Sequence, residues 1–100
     1  MQTQKSLWFA DVEGVLTKVQ VLSMAGEFDM ESIQTISAAR KRLCDVFALS
    51  ECKNLTHADL SFNKLSTLEA LSHLPNIVSL NVTANQITNI GNVFSIHVPK

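Results

Sequence analysis

The sequence predicts an α/β fold, a solenoid in which short parallel strands stack behind an N-terminal helix. Three observations predict it. Apolar residues recur with a period of 22, each period passes from an alternating pattern to a three-residue spacing, and a helical spacing precedes the first period. The length of 100 residues suits one small domain, and the content of 46% hydrophobic and 17% charged residues is typical of a globular chain.

The repeat covers residues 33–98 in three units. The units are residues 33–54, 55–76 and 77–98. Seven apolar positions coincide between them. In the second unit these positions are Leu55, Ala58, Leu60, Leu65, Leu68, Leu71 and Leu74. Because burial of one unit's apolar side chains does not offset the entropy lost when that unit is ordered, we expect the units to stack on a shared core.

Each unit is predicted to contain one strand and one return segment. Apolar and polar residues alternate around Leu60, which indicates a short strand. From Leu65 onward the apolar residues lie three apart, which indicates a 3₁₀ or helical return. Asn63 and Asn85 share one place in their units, where the chain turns out of the strand. We expect their amides to bond backbone groups of their own and the neighbouring turn as a structural asparagine ladder.

The second unit opens with "LTHADLSFNKL", which has the form L-x-x-L-x-L-x-x-N-x-L except at Ala58. It resembles the leucine-rich repeat of the short 22-residue type, as found in the leucine-rich regulatory subunit of protein phosphatase 1 and in ciliary and cytoskeletal adaptors. The segments "AGEFDMESI" and "ALSECKNLTHADLSFNKL" are similar to a small intracellular leucine-rich-repeat-containing protein. The resemblance covers residues 26–98. It implies a right-handed solenoid with its strands on the concave side.

Residues 1–32 are predicted to form a leader and an N-terminal capping helix. Apolar residues at three- and four-residue steps indicate an amphipathic helix over residues 12–25. Asp11 is the expected N-cap, and Gly26 is the expected left-handed stop. Phe28 and Met30 are expected to cover the open side of the first unit.

A C-terminal cap is predicted to be absent, because only Pro99 and Lys100 follow the third unit. An uncapped unit would expose apolar side chains and unpaired backbone groups. We therefore expect a truncated form of a longer repeat protein. If the chain is made as written, we expect end-on self-association through the uncapped C-terminal repeat.

The stretch "FADVEGVLT", residues 9–17, resembles the first motif of dehalogenase-type phosphatases, in which an aspartate attacks phosphorus. Glu13 stands where that family has a second aspartate, and a carboxylate one methylene longer would displace the proton-transferring group. The last carboxylate of the chain is Glu69, so the late acidic pair that holds Mg²⁺ in that family is missing. Helix capping by Asp11 is therefore favoured over a dehalogenase-type hydrolase at Asp11, and the chain is not expected to be an enzyme.

Charge and composition indicate no nucleic-acid, membrane, metal or cofactor partner. The net charge is −1, and the one basic cluster, Arg40-Lys41-Arg42, is interpreted as a solvated turn. No apolar run approaches the roughly 18 residues of a membrane span. The three histidines fall in different phases of the repeat, so no metal site is predicted. Cys52 shares the place of Leu74, which predicts a buried thiol. We expect a cytoplasmic protein, with a nuclear or ciliary location as alternatives.

The concave strand face is the surface that remains available for binding. The predicted partner-binding residues are Arg40, His57, Asp59, Phe62, Asn81 and Thr83. Phe62 is the one aromatic residue among them and is the candidate anchor. We expect a non-catalytic protein–protein interaction module or scaffold, with partners among other proteins. A regulatory subunit that binds a phosphatase catalytic subunit remains the alternative, and the same residues could also be ordinary solvent-facing positions.

Overall fold

The computed structural model describes residues 13–88, and a parallel sheet of three short strands lies at its centre. The strands are Thr35–Ser37 (β1), His57–Asp59 (β2) and Ser79–Asn81 (β3). They lie side by side in chain order, with Thr35 opposite His57 and His57 opposite Ser79. Partners in neighbouring strands are therefore one repeat period apart, in agreement with the periodicity of the sequence.

Short 3₁₀ helices carry the chain back from one strand to the next. They span Phe47–Glu51, between β1 and β2, and Glu69–Leu71, between β2 and β3. A further 3₁₀ helix, Met30–Ser32, precedes β1. The two return helices pack against each other on the side of the units away from the strands. The three-residue apolar spacing of the return thus corresponds to 3₁₀ geometry, in which residues three apart lie on one edge.

The core is a stack of aliphatic side chains between the sheet and the return helices. In the middle unit, Leu60, Leu65, Leu68 and Leu71 are each at most 1% exposed. The same places in the first unit are also buried; they hold Ala38, Leu43, Val46 and Leu49. Equivalent places therefore contribute to one shared interior. Each larger aliphatic side chain contributes roughly 1.5–3 kcal/mol by its burial.

Ala58 departs from the leucine-rich consensus, and its neighbours show how the core accommodates it. Ile36 and Leu80 lie opposite Ala58 in the adjacent strands, and both are buried. Ala58 itself is 5% exposed. A small side chain between two large ones keeps this layer filled, because protein interiors are packed at nearly crystalline density.

The N-terminal helix begins later than the sequence analysis predicted. Helix α1 spans Lys18–Ala25 instead of residues 12–25. Its N-cap is Thr17, whose hydroxyl accepts from the Gln20 backbone N–H at 3.2 Å, while the Gln20 side chain accepts from the Thr17 backbone N–H at 2.9 Å. This capping box satisfies two backbone donors that the helix leaves unpaired. The prediction of Asp11 as N-cap was wrong; Asp11 itself lies outside the described residues.

The first repeat holds residues 13–16 in a turn followed by a short extended stretch. Gly14 has φ of 85°, and its carbonyl accepts from the N–H groups of Cys44 and Asp45 at 2.7 and 2.9 Å. Val15 forms a parallel bridge with Asp45, and the Leu16 N–H donates to the Asp45 carbonyl at 2.9 Å. These tertiary hydrogen bonds compete with a helix at residues 13–16. A Cβ at Gly14 would lie 3.2 Å from the Cys44 Sγ, so glycine suits this position both sterically and conformationally.

The end of α1 follows the prediction. Gly26 adopts φ of 71°, and the N–H groups of Gly26 and Glu27 donate to the carbonyls of Ser23 and Leu22. This left-handed C-cap is the arrangement expected for glycine after a helix. Of the two residues expected to cover the first unit, Met30 is buried at 4% exposure, but Phe28 is fully exposed. The expectation for Phe28 was therefore wrong.

Candidate functional site

The predicted binding residues lie in two rows on the exposed side of the sheet. His57, Asp59 and Asn81 belong to the strands, where Asp59 is opposite Asn81. Arg40, Phe62 and Thr83 belong to the turns that follow the strands; the first two are exposed and Thr83 is half-buried. We call these positions, together with the exposed Thr35, Ser37 and Ser79, the strand face. The sheet and its turns therefore bring residues from all three units onto one surface.

Asp59 and Asn81 shape the turns that follow their strands. Asp59 Oδ1 accepts from the backbone N–H and the hydroxyl of Ser61 at 3.0 and 2.7 Å. Asn81 Oδ1 makes the same two contacts with Thr83, at 3.0 and 2.6 Å. Such side-chain to backbone bonds are the usual stabilisation of Asx turns. Sequence analysis identified three of these residues as contact positions but missed their bonding to one another and the part played by Ser61.

Phe62 and Arg40 form a preorganised pair across two neighbouring turns. The Arg40 Cζ lies 4.0 Å from the centroid of the Phe62 ring, and the ring is 45% exposed. Both residues are in the left-handed region, with φ of 60° and 57°, as is Ala84 one period later. The backbone is held there because the Arg40 N–H donates to the Ser61 carbonyl and the Phe62 N–H donates to the Thr83 carbonyl. The cation–π contact restricts the motion of the Phe62 ring in the free protein. Binding of a partner therefore loses less side-chain entropy at this position.

His57 is held beside the preceding threonine at the start of β2. The Thr56 hydroxyl lies 2.9 Å from the Gln34 carbonyl and 2.8 Å from His57 Nδ1. The Gln34 carbonyl also accepts from the backbone N–H groups of Thr56 and His57. Nε2 of the exposed ring forms no hydrogen bond within residues 13–88 and is available to a partner.

Asn63 and Asn85 bond the backbone of successive turns. Asn63 Oδ1 accepts from the N–H groups of Lys41 and Leu43, and Nδ2 donates to the carbonyls of Ala38, Leu60 and Ser61. Asn85 accepts from the Leu65 N–H, and its Nδ2 donates to the carbonyls of Leu60, Val82 and Thr83. The Leu60 carbonyl therefore accepts from both asparagines. These bonds connect each turn to the one before it.

Residues of the types that bind metal ions are dispersed through residues 13–88. This part of the chain contains no group of three or more His, Cys, Asp or Glu residues that could hold a metal ion. The same residues include no helix long and apolar enough to cross a bilayer.

The two cysteines occupy opposite environments, and we expect only Cys44 to react in the native protein. Cys44 is exposed, whereas Cys52 is buried in the core. Burial, and after it the negative charge of Glu51, raises the pKa of the Cys52 thiol from 9.0 to about 11. Thiolate is the reactive species, so Cys52 should be inert at pH values near 8. Ellman's reagent should titrate one thiol in the native protein and two in urea.

Matched variants assign the reactive thiol. Cys44→Ser should abolish the native reaction and Cys52→Ser should leave it unchanged; rapid reaction of Cys52 in the native protein would contradict the buried environment.

The folded state also holds the Cys52 proton to a higher pH than the unfolded state does. This contribution to stability is complete below pH 9 and should be lost as the pH rises from about 9 towards 11.

Comparison with known families identifies the repeat in part of the chain. A family described as leucine rich repeats (2 copies) matches residues 53–95. Residues 53–95 therefore carry leucine-rich repeats, as the resemblance implied, and repeats of this type generally mediate protein–protein interactions.

Among curated proteins, the chain is similar to cilia- and flagella-associated protein 410 of Homo sapiens. The two are 29% identical over 79 residues, which is 79% of this chain and 31% of the human protein. The chain thus spans less than a third of the length of the curated relative that it matches.

Proposed function

We propose that the chain is a non-catalytic interaction module that binds another protein through the strand face. The leucine-rich repeats support binding as the general activity, and the preorganised Phe62–Arg40 pair is the observation that carries the choice of surface. Aromatic residues in rigid surroundings are frequent hot spots of interfaces. The half-buried Asp59 stiffens the turn that carries that ring, and the half-buried Asn81 stiffens the next turn.

Within this proposal the repeats at 33–54, 55–76 and 77–98 form a right-handed solenoid whose concave side is the strand face. Helix α1 caps its N-terminal end, as part of a leader over residues 1–32. Packing of α1 beside β1 and the Phe47–Glu51 return supports this arrangement. The uncapped third unit was expected to expose apolar side chains, but Ile77, Leu80 and Val82 are each at most 8% exposed, so the expectation was wrong for these residues. The remainder of that unit, residues 89–98, lies outside the described part of the chain.

A ciliary role of this module is part of the proposal. The similarity to a protein named for cilia and flagella supports it. The absence of catalytic function is likewise proposed, on the grounds that leucine-rich repeats act by binding. Lysate from ciliated cells is therefore a suitable source of partners.

Capture of partners with matched aromatic variants tests the choice of surface. Phe62→Ala should weaken binding of the captured proteins by about thirtyfold, which corresponds to the ~2 kcal/mol of a hot-spot residue. Alanine suits the left-handed turn, because Ala84 occupies the equivalent position with φ of 59°. Phe47→Ala is the control: Phe47 is 69% exposed and begins the return helix on the far side of the units.

Quantitative mass spectrometry measures the amounts of protein captured by wild type, Phe62→Ala and Phe47→Ala. Proteins that wild type and Phe47→Ala capture equally, and that Phe62→Ala loses, are partners of the strand face. Equal capture by all three baits would refute this surface. Loss with Phe47→Ala alone would place the interface on the return helices instead.

A further inference from the structure

Four basic side chains form a continuous row along the turns that follow β1 and β2. They are Arg40, Lys41, Arg42 and Lys64, all of them exposed, and we call this row the basic edge. Sequence separates Lys64 from Arg42 by a full repeat period, but the fold brings their turns together. The Lys64 N–H donates to the Leu43 carbonyl at 2.8 Å. An apparently short basic cluster is thus part of a larger one.

The backbone of the basic edge is fixed by Asn63. Its Oδ1 accepts from the N–H groups of Lys41 and Leu43 at 3.0 and 2.9 Å. Arg40 and Arg42 both adopt left-handed φ values, of 60° and 56°. That conformation is uncommon for residues other than glycine. Three successive cations are therefore held in a tight, hydrogen-bonded turn.

Acidic residues collect at the opposite ends of the strands. Asp29 and Glu31 precede β1, and Glu51 precedes β2, whereas the basic edge follows these strands. The three carboxylates line one cleft together with Lys18 and Lys53. Lys18 pairs with Glu51 at 3.2 Å, which is the one salt bridge among residues 13–88. These strand ends therefore carry a slight excess of negative charge, with three carboxylates against two lysines.

Carboxylates near the basic edge do not neutralise it within the described residues. Glu13 lines the same cleft as Lys41 and Arg42 but forms no ion pair with either in this part of the chain. Asp45 and Asp59 are the other nearby carboxylates; Asp45 Oδ1 accepts from the Phe47 N–H, and Asp59 Oδ1 is engaged by Ser61. The positive charge of the edge is therefore available to an external anion.

We propose that the basic edge binds an acidic segment of a partner protein, and that Phe62 contacts an apolar side chain of the same segment. The inference rests on the proposed function and names the chemistry of the partner. Arg40 and Arg42 can each hold a carboxylate through two parallel hydrogen bonds. Complementary charge also selects the partner and accelerates encounter.

A peptide suits this surface better than a nucleic acid or a lipid bilayer does. The chain has a net charge of −1, and its acidic strand ends would repel an extended polyanion. Phosphate binding gains strength from many cations that release counterions together, whereas the basic edge offers four. A short acidic segment with an apolar residue matches both the charge and the exposed ring.

Isotope-edited NMR with a defined probe tests the inference. The ¹⁵N-labelled chain is titrated with a capped peptide of repeated Glu-Asp-Leu triplets. Amide shifts should concentrate in the turns that hold the basic edge, residues 40–43 and 61–64. Raising the salt concentration from ~0.05 M to ~0.5 M should weaken binding, because exposed charges are screened. The corresponding Lys-Lys-Leu peptide should produce no such shifts.

Single charge reversals at matched positions locate the contact. Lys64→Glu should weaken binding of the acidic peptide by about fivefold or more, and addition of Arg42→Glu should weaken it further. Lys53→Glu changes the net charge by the same amount at the acidic strand ends and should change affinity by less than about twofold. Circular dichroism and thermal melting establish that each variant folds.

Each alternative outcome overturns a distinct claim. Shifts centred on His57 and Ser79 that Lys64→Glu leaves unchanged would refute the basic edge but preserve the strand face as the interface. Absence of shifts with the acidic peptide would refute the basic edge alone, since the Phe62→Ala captures test the strand face separately. Tighter binding of a single-stranded RNA or of phosphatidylserine vesicles at the same amides would show a general polyanion site and refute the peptide assignment.

Discussion

Asn63→Ala should lower the free energy of unfolding by roughly 3–5 kcal/mol, far more than a typical surface substitution. Asn63 is 7% exposed, and its amide satisfies two backbone N–H groups and three carbonyls. Alanine leaves buried groups such as the Leu43 N–H and the Ala38 carbonyl without this partner. A buried polar group that loses its partner costs about 1–3 kcal/mol. Urea denaturation monitored by circular dichroism gives the measurement.

Two other asparagines provide the scale for this effect. Asn76 is exposed and, within residues 13–88, makes one long contact, 3.4 Å to the Lys53 carbonyl, so Asn76→Ala should cost less than about 0.5 kcal/mol. Asn85 is half-buried and makes four bonds, so its loss should fall between the two. If Asn63→Ala costs no more than Asn76→Ala, the amide contacts do not hold the turns together.

A double-mutant cycle separates a connected ladder from independent caps. Asn63 and Asn85 both donate to the Leu60 carbonyl, at 2.9 Å each. Removal of one donor leaves the other to satisfy that oxygen, so the double variant should cost more than the sum of the single variants. Strict additivity would show that the two turns are stabilised separately.

The register of the sheet was predictable because burial in this fold depends on phase. Ile36, Ala58 and Leu80 share one place in the period, and the structure buries all three and sets them opposite one another. A single unit cannot bury its apolar residues alone. Stacking of the units in register buries the equivalent apolar side chain of every unit. Local strand propensity contributed little, since each strand has only three residues.

The start of α1 was not predictable from spacing alone. Val15 and Leu16 fit a helical pattern, but they face the first repeat from an extended segment that bonds Asp45. Apolar spacing indicates which residues are buried. It does not determine whether the backbone that carries them is helical or extended. Thr17 and Gln20 supply the signal that was available, because this pair has the spacing of a capping box.

The candidate site was predictable as a set of positions but not as a set of contacts. Asp59 and Asn81 were identified as surface positions from their place in the repeat. Each also forms hydrogen bonds with the residue two places later. The sequences "DLS" and "NVT" in the same phase carry that signal, since both pair an Asx residue with a hydroxyl residue. The basic edge was missed because Lys64 joins the arginines only when adjacent turns stack.

Leu60→Ala should lower the free energy of unfolding by about 2–5 kcal/mol and could leave the chain unfolded at ambient temperature. Leu60 is fully buried, and its place in the units before and after is filled by Ala38 and Val82. Ala38 is too small to fill the space left by the leucine, so the cavity lies between two units and weakens the interior that both share. Thermal unfolding followed by circular dichroism gives the measurement.

Val78→Ala serves as the control for loss of apolar volume, because Val78 is 60% exposed one residue before β3. Its effect should stay within about 0.5 kcal/mol. Leu60→Ile separates volume from shape: it keeps the atoms and should recover most of the loss, at a cost below about 1.5 kcal/mol. If the two units share one core, removal of a side chain that lies between them must destabilise both. Equal melting temperatures for Leu60→Ala and Val78→Ala would therefore refute the shared core.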